Sequence, residues 1–137
     1  MLNKNSANDY LESILILHRK KGYARSVDIS RHLGVTKPSV CNALKKLKDQ
    51  QMIYFGEKGH IFFTEDGKSI AEDTYNKRMT LMKVLTDIGV SEDTATKEAG
   101  LIGHAISDET YKCLTAHFNV IQQVSVNWNN RSISEDM

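Results

Sequence analysis

"VTKPSVCNALKKLKDQ", residues 35–50, decides how the rest of the chain is read. Thr36 is placed to cap a helix whose first turn holds Pro38, where the missing N–H costs nothing. With about 100° of rotation per residue, Val40, Ala43, Leu44 and Leu47 fall on one side, and Pro38, Asn42 and Lys45 fall opposite. Ser39, Cys41 and Lys46 flank that second side. One face is predicted to be core, while the other presents an amide, a hydroxyl and ammonium groups, which suit base edges and phosphates in a DNA major groove.

Working outward toward the N-terminus, Tyr10, Leu11, Ile14, Leu17 and His18 recur at helical spacing. They predict a first helix over about residues 7–21, capped by Ser6 and ended by Gly22. Ser26 is expected to cap a short second helix with Val27, Ile29 and Leu33 inward and Asp28 near the positive end of the helix dipole, closed by Gly34. After Gln50 the period changes. Ile53-Tyr54-Phe55 and His60-Ile61-Phe62-Phe63 are β-branched and aromatic runs around Gly56-Glu57-Lys58-Gly59, the pattern of a hairpin with a glycine-bearing turn. Helix, short helix, turn, capped helix and hairpin follow in the order of a winged helix-turn-helix.

Beyond the hairpin, Thr64 is placed to cap a long helix with Ile70, Tyr75, Met79 and Met82 on one stripe and Leu81, Leu85 and Ile88 beside it, stopped by Gly89. Ser91 caps a further helix expected to fray at Gly100 or Gly103. Ser107 caps a last one carrying Tyr111, Leu114, Phe118 and Ile121. The fold class expected is mainly α with a small β-hairpin: a winged helix-turn-helix over 1–66, an all-helical dimerisation domain over 67–126 and a mobile polar tail over 127–137. The apolar surface of the second half exceeds what so few helices bury alone, so a two-fold homodimer is expected, built from the long helix and the Tyr111 to Val124 helix.

The net charge of +1 over 137 residues hides a segregation: residues 19–60 hold ten Lys/Arg against Asp28, Asp49 and Glu57, a net +7, leaving −6 elsewhere. A basic block on the elements that would meet a duplex points to a polyanionic partner. Asn42 is the best base-edge reader. Lys37, Lys45, Lys46 and Lys48 are placed for phosphates, with Pro38 and Ser39 on the same face, Lys58 on the wing tip and Arg25 or Arg31 on flanking elements. The competing reading is a winged helix used as a protein-interaction adaptor, with lysines that only keep it soluble. No basic-then-apolar leader and no membrane-length apolar run occur, so the chain reads as cytoplasmic with no membrane partner. Cys41 and Cys113 are expected to be free thiols. There is no Gly-rich phosphate loop, G-x-S-x-G or H-E-x-x-H, and the histidines at 18, 32, 60, 104 and 117 lack a paired nucleophile, so no enzyme is expected.

"NDYLESILIL", "GYARSVDISRHLGV", "FFTEDGKSIA", "LTDIGV" and "EAGLIGHAISDETYKCL" resemble, in order and spacing, the manganese-sensing branch of the diphtheria-toxin-repressor family of metalloregulators. The likeness covers about residues 6–122. It implies a winged head, a helical dimerisation domain and a pseudo-palindromic double-stranded DNA operator, with a divalent ion, Mn2+ or Fe2+, fixing the heads. It places family ligand positions on Asp9, Glu12 and His104. Asp9 and Glu12 stand at i and i+3, one face of a helix, where two carboxylates can share a hard ion. The family's other ligand positions fall on Arg78, Gly100 and Gly103, with Glu98 near enough in sequence to substitute. A guanidinium at 78 suggests an alternative, a scaffold that acts without metal because Arg78 replaces the ion's charge.

Overall fold

A computed structural model of the chain describes residues 4–119. The described elements are α1 (Lys4–Lys21), α2 (Ser26–Leu33), α3 (Lys37–Asp49), β1 (Ile53–Phe55), β2 (Ile61–Phe63), α4 (Glu65–Asp87) and α5 (Glu92–Ala105), followed by α6 over 108–119. The expected mainly helical fold with a two-stranded hairpin is what forms. Ile121, Val124 and the tail 127–137 lie outside the described residues.

The chain divides into two units, Met1–Asn76 and Lys77–Met137, with the division inside α4. In the first, α1 contributes Leu11, Ile14 and Leu17, α2 contributes Ile29, and α3 contributes Val40, Ala43, Leu44 and Leu47 to one buried cluster. Ile53 and Ile61 close it from the hairpin, and Ala71 from the start of α4. Each fully buried Leu or Ile here contributes about 1.5–3 kcal/mol relative to exposure. All four apolar residues predicted for the inner side of α3 are buried.

Backbone hydrogen bonds anchor the hairpin to the helices. β1 and β2 pair antiparallel as Ile53↔Phe63, Tyr54↔Phe62 and Phe55↔Ile61. The free edge of β2 is then used twice, because the Ile61 N–H donates to the Ala24 carbonyl at 2.9 Å and the His18 Nε2–H donates to the Ile61 carbonyl at 2.8 Å. Buried backbone groups at a strand edge need such partners. The wing tip is a single tight turn, Glu57–Gly59, in which Lys58 takes a left-handed φ of 59°.

Three local expectations are corrected. α1 starts at Lys4, so Ser6 lies within its first turn and is not its cap. α2 is capped at Arg25 rather than Ser26: the Asp28 carboxylate, at the third helical position, reaches back to accept the Arg25 backbone N–H at 3.2 Å. α5 runs through Gly100 and Gly103 to Ala105 without fraying. Gly100 lies beside Arg78 and Gly103 beside Leu81 and Lys77 of α4, and the helix continues through both despite a penalty of about 1 kcal/mol each. In this second unit Leu81, Ala95 and Ala99 are buried.

Candidate nucleic-acid interface

The Thr36 hydroxyl oxygen accepts the Ser39 backbone N–H at 3.3 Å, and its own O–H reaches the Ser39 hydroxyl at 2.9 Å. This cap sets where α3 begins, and so which side chains leave the core. Lys37, Pro38, Ser39, Cys41, Asn42 and Lys45 are exposed, and Lys46 is half-buried. Asn42 presents both a donor and an acceptor, the pairing that adenine's major-groove edge requires. Lys37 and Lys45 put mobile ammonium groups on either side of it along the helix.

Lys48, one turn further on, leans toward the hairpin with its ammonium 5.9 Å from the Phe55 ring. Lys58 is exposed at the tip of the wing. Arg25 is held at the N-terminus of α2, its guanidinium 5.4 Å from the Tyr23 ring centroid and its Nε 3.9 Å from Asp28 Oδ2. Asp28 is itself 4% exposed, and its Oδ1 pairs with the Lys21 ammonium at 3.2 Å. A carboxylate so buried is tolerable because two cations and a backbone N–H surround it.

Residue-by-residue reading of the sequence missed the aromatic component of this surface. Tyr54 and Phe62 stack at 5.5 Å and remain exposed, and Tyr23 stacks on His60 at 5.2 Å with an interplanar angle of 14°. The alternation within each strand carried the first signal. Nothing in sequence spacing carried the second, since 37 positions separate the two rings.

The residues at family ligand positions fall in both units. Asp9 is half-buried and Glu12 is 2% exposed, both on α1. His104 is half-buried on α5, and Arg78 half-buried on α4. In the second unit the Arg78 guanidinium lies 3.7–4.0 Å from the position that a Cβ on Gly100 would occupy. Among the described residues no three His, Cys, Asp or Glu side chains come together as a metal-binding group. No described helix is long and apolar enough to cross a membrane.

Residues 3–61 match the family model described as the iron dependent repressor N-terminal DNA binding domain, and residues 64–124 match the iron dependent repressor metal binding and dimerisation domain. Transcriptional regulator MntR of Escherichia coli O6:H1 is 33% identical over 103 residues, 75% of this chain and 66% of the relative. HTH-type transcriptional regulator MntR of Geobacillus kaustophilus is 36% identical over 103 residues, 74% of this chain and 72% of the relative. Among solved structures, IdeR of T. acidophilum superposes with a TM-score of 0.72 at 30% identity, covering 82% of this chain and 53% of that one. The chain thus spans just under two thirds of the Escherichia coli relative and about half of the solved structure. With both halves matched in order and the winged head formed as the motifs require, the chain belongs to the iron-dependent repressor family of transcriptional regulators, the diphtheria-toxin-repressor family, whose members are not enzymes.

Proposed function

We propose that this protein is a transcriptional repressor that binds a pseudo-palindromic operator in double-stranded DNA as a homodimer, in the cytoplasm. The observation that carries the reading is α3, which buries Val40, Ala43, Leu44 and Leu47 while exposing Lys37, Pro38, Ser39, Asn42 and Lys45. Asn42 would read a base edge. Lys37, Lys45, Lys46, Lys58 and Arg25 would neutralise phosphates, each releasing condensed counterions. Ile88 and Leu101, 72% and 69% exposed in the second unit, support a second copy as the cover for that apolar surface. Binding of the protein to its own promoter DNA tests the reading. A dimer on DNA with a steep salt dependence is expected, whereas a protein-interaction adaptor predicts weak, salt-flat binding.

We further propose Asp9, Glu12 and His104 as the residues that would hold Mn2+ or Fe2+. The chemistry of the donors fits, because two carboxylates on one face of α1 and an imidazole suit either ion. When bound, the ion would supply positive charge to the Asp9 and Glu12 carboxylates. Arg78, packed on Gly100 at a position where the family has a ligand, favours a second reading in which a fixed guanidinium takes over the ion's electrostatic role. Calorimetric titration with Mn2+ and Fe2+, alongside DNA binding with and without chelator, separates them: stoichiometric binding that raises DNA affinity supports the metal gate, and chelator-insensitive DNA binding supports the arginine.

A further inference from the structure

Tyr23 lies outside the buried cluster of the first unit and is half-buried, yet its ring has two partners. The Arg25 guanidinium carbon is 5.4 Å from its centroid, and the His60 ring lies nearly parallel to it at 5.2 Å. His60 closes the wing: its N–H donates to the Glu57 carbonyl at 3.1 Å, and its own carbonyl accepts the Gly56 N–H at 2.8 Å. Lys58 lies inside that closed turn. Beside the rings, Ile61 N–H donates to the Ala24 carbonyl at 2.9 Å, fixing the two backbones against each other. Arg25 and Lys58, on separate elements, are therefore joined through two stacked rings and a hydrogen-bonded backbone.

From this geometry we propose that Tyr23 is a positioning residue for DNA binding, holding Arg25 in register with the wing so that Arg25 and Lys58 grip the phosphate backbone as one clamp. The inference rests on the DNA-binding reading. An unrestrained arginine loses its rotamer freedom when it meets a phosphate, and a guanidinium already laid against a ring loses less. Asp28 assists from the other side, with its Oδ2 3.9 Å from the Arg25 Nε. The geometry requires an aromatic face at position 23, with no role for the phenol oxygen.

The test uses the full chain and a random-sequence duplex of about 40 base pairs, because phosphate contacts do not depend on sequence. Affinity is measured across about 50–200 mM salt. Tyr23→Leu is expected to weaken binding about two- to fivefold, Tyr23→Phe to restore it, and Arg25→Ala to flatten the salt slope by about one unit per head. In the Arg25→Ala background, Tyr23→Leu should have no further effect. An unchanged affinity for Tyr23→Leu, or an equal additional loss in the Arg25→Ala background, overturns the proposal. Thermal melting monitors the fold, and Tyr23→Met serves if the leucine variant melts early. No duplex binding by the wild-type protein would overturn the DNA-binding reading and this one together, whereas wild-type binding with inert Tyr23 variants overturns this one alone.

Discussion

Nη2 of Arg78 lies 3.7 Å from the point where a Cβ on Gly100 would stand, so α4 and α5 meet there through a guanidinium laid over a bare helix backbone. That distance is ordinary van der Waals contact, and an alanine fits without displacement. Gly100→Ala is therefore expected to raise stability by about 0.5–1 kcal/mol, the entropic cost of glycine inside a helix. The same substitution at Gly67, in the first turn of α4, has the opposite sign. A Cβ there would overlap the Met52 carbonyl oxygen, which cannot swing aside as a side chain can. Gly67→Ala should lower stability by about 1–3 kcal/mol, and chemical denaturation of the two variants checks the contrast.

The same Arg78–Gly100 contact bears on metal. On the metal reading proposed above, an imidazole at 78 and a carboxylate at 100 would restore donors at two of the family's ligand positions. Arg78→His with Gly100→Glu is expected to tighten Mn2+ binding by about tenfold or more relative to the unaltered protein, read by calorimetry. Equal affinities would place positions 78 and 100 outside any metal site.

On α3 two kinds of substitution should separate binding from folding. Lys45→Glu with Lys46→Glu reverses charge outside the core and is expected to abolish duplex binding at moderate salt while changing stability by no more than about 0.5 kcal/mol per site. Leu47, fully buried at 0% exposure, behaves the other way. Leu47→Ala should cost about 2–5 kcal/mol of stability. Paired melting curves and binding isotherms distinguish the two, and a large loss of stability in the lysine variant would contradict the exposure of this face.

The wing tip trades stability for charge. Lys58 occupies the left-handed region, φ 59°, which costs a non-glycine residue about 1 kcal/mol or more. Lys58→Gly should thus stabilise the protein by up to about 1 kcal/mol and at the same time reduce the salt slope of DNA binding by about one unit per head. A variant that binds DNA as steeply as wild type would remove Lys58 from the interface.

At alkaline pH the first unit should weaken through Tyr10. Burial on α1 pushes its phenol above the ordinary value of 10.0, so the neutral form is favoured in the folded state. The unfolded chain then releases its proton first as pH rises. The stabilisation is whole below the ordinary value and is lost as pH climbs through the raised one. Tyr10→Phe, which cannot ionise, should flatten the fall in melting temperature above about pH 10.

The order of elements and the two sides of α3 follow from short-range signals along the chain. Period 3.6 with Thr36 and Pro38 at the start, and a change to β-branched and aromatic runs around Gly56 and Gly59, are local signals, and Thr36, Gly34 and Ser91 act as the caps and stops that those signals require. Features that depend on residues distant along the chain emerged from packing alone. Asp28, read as a dipole partner, became the buried cap of its own helix because Lys21 packs beside it, and Gly100, beside Arg78, continued a helix it was expected to end. The Tyr23–His60 stack likewise exists only because β2 pairs with Ala24. Caps and periodicity are set by neighbours a few residues away, whereas the burial of a charge, the tolerance of a glycine and the meeting of two rings are set by whichever side chains the fold brings alongside.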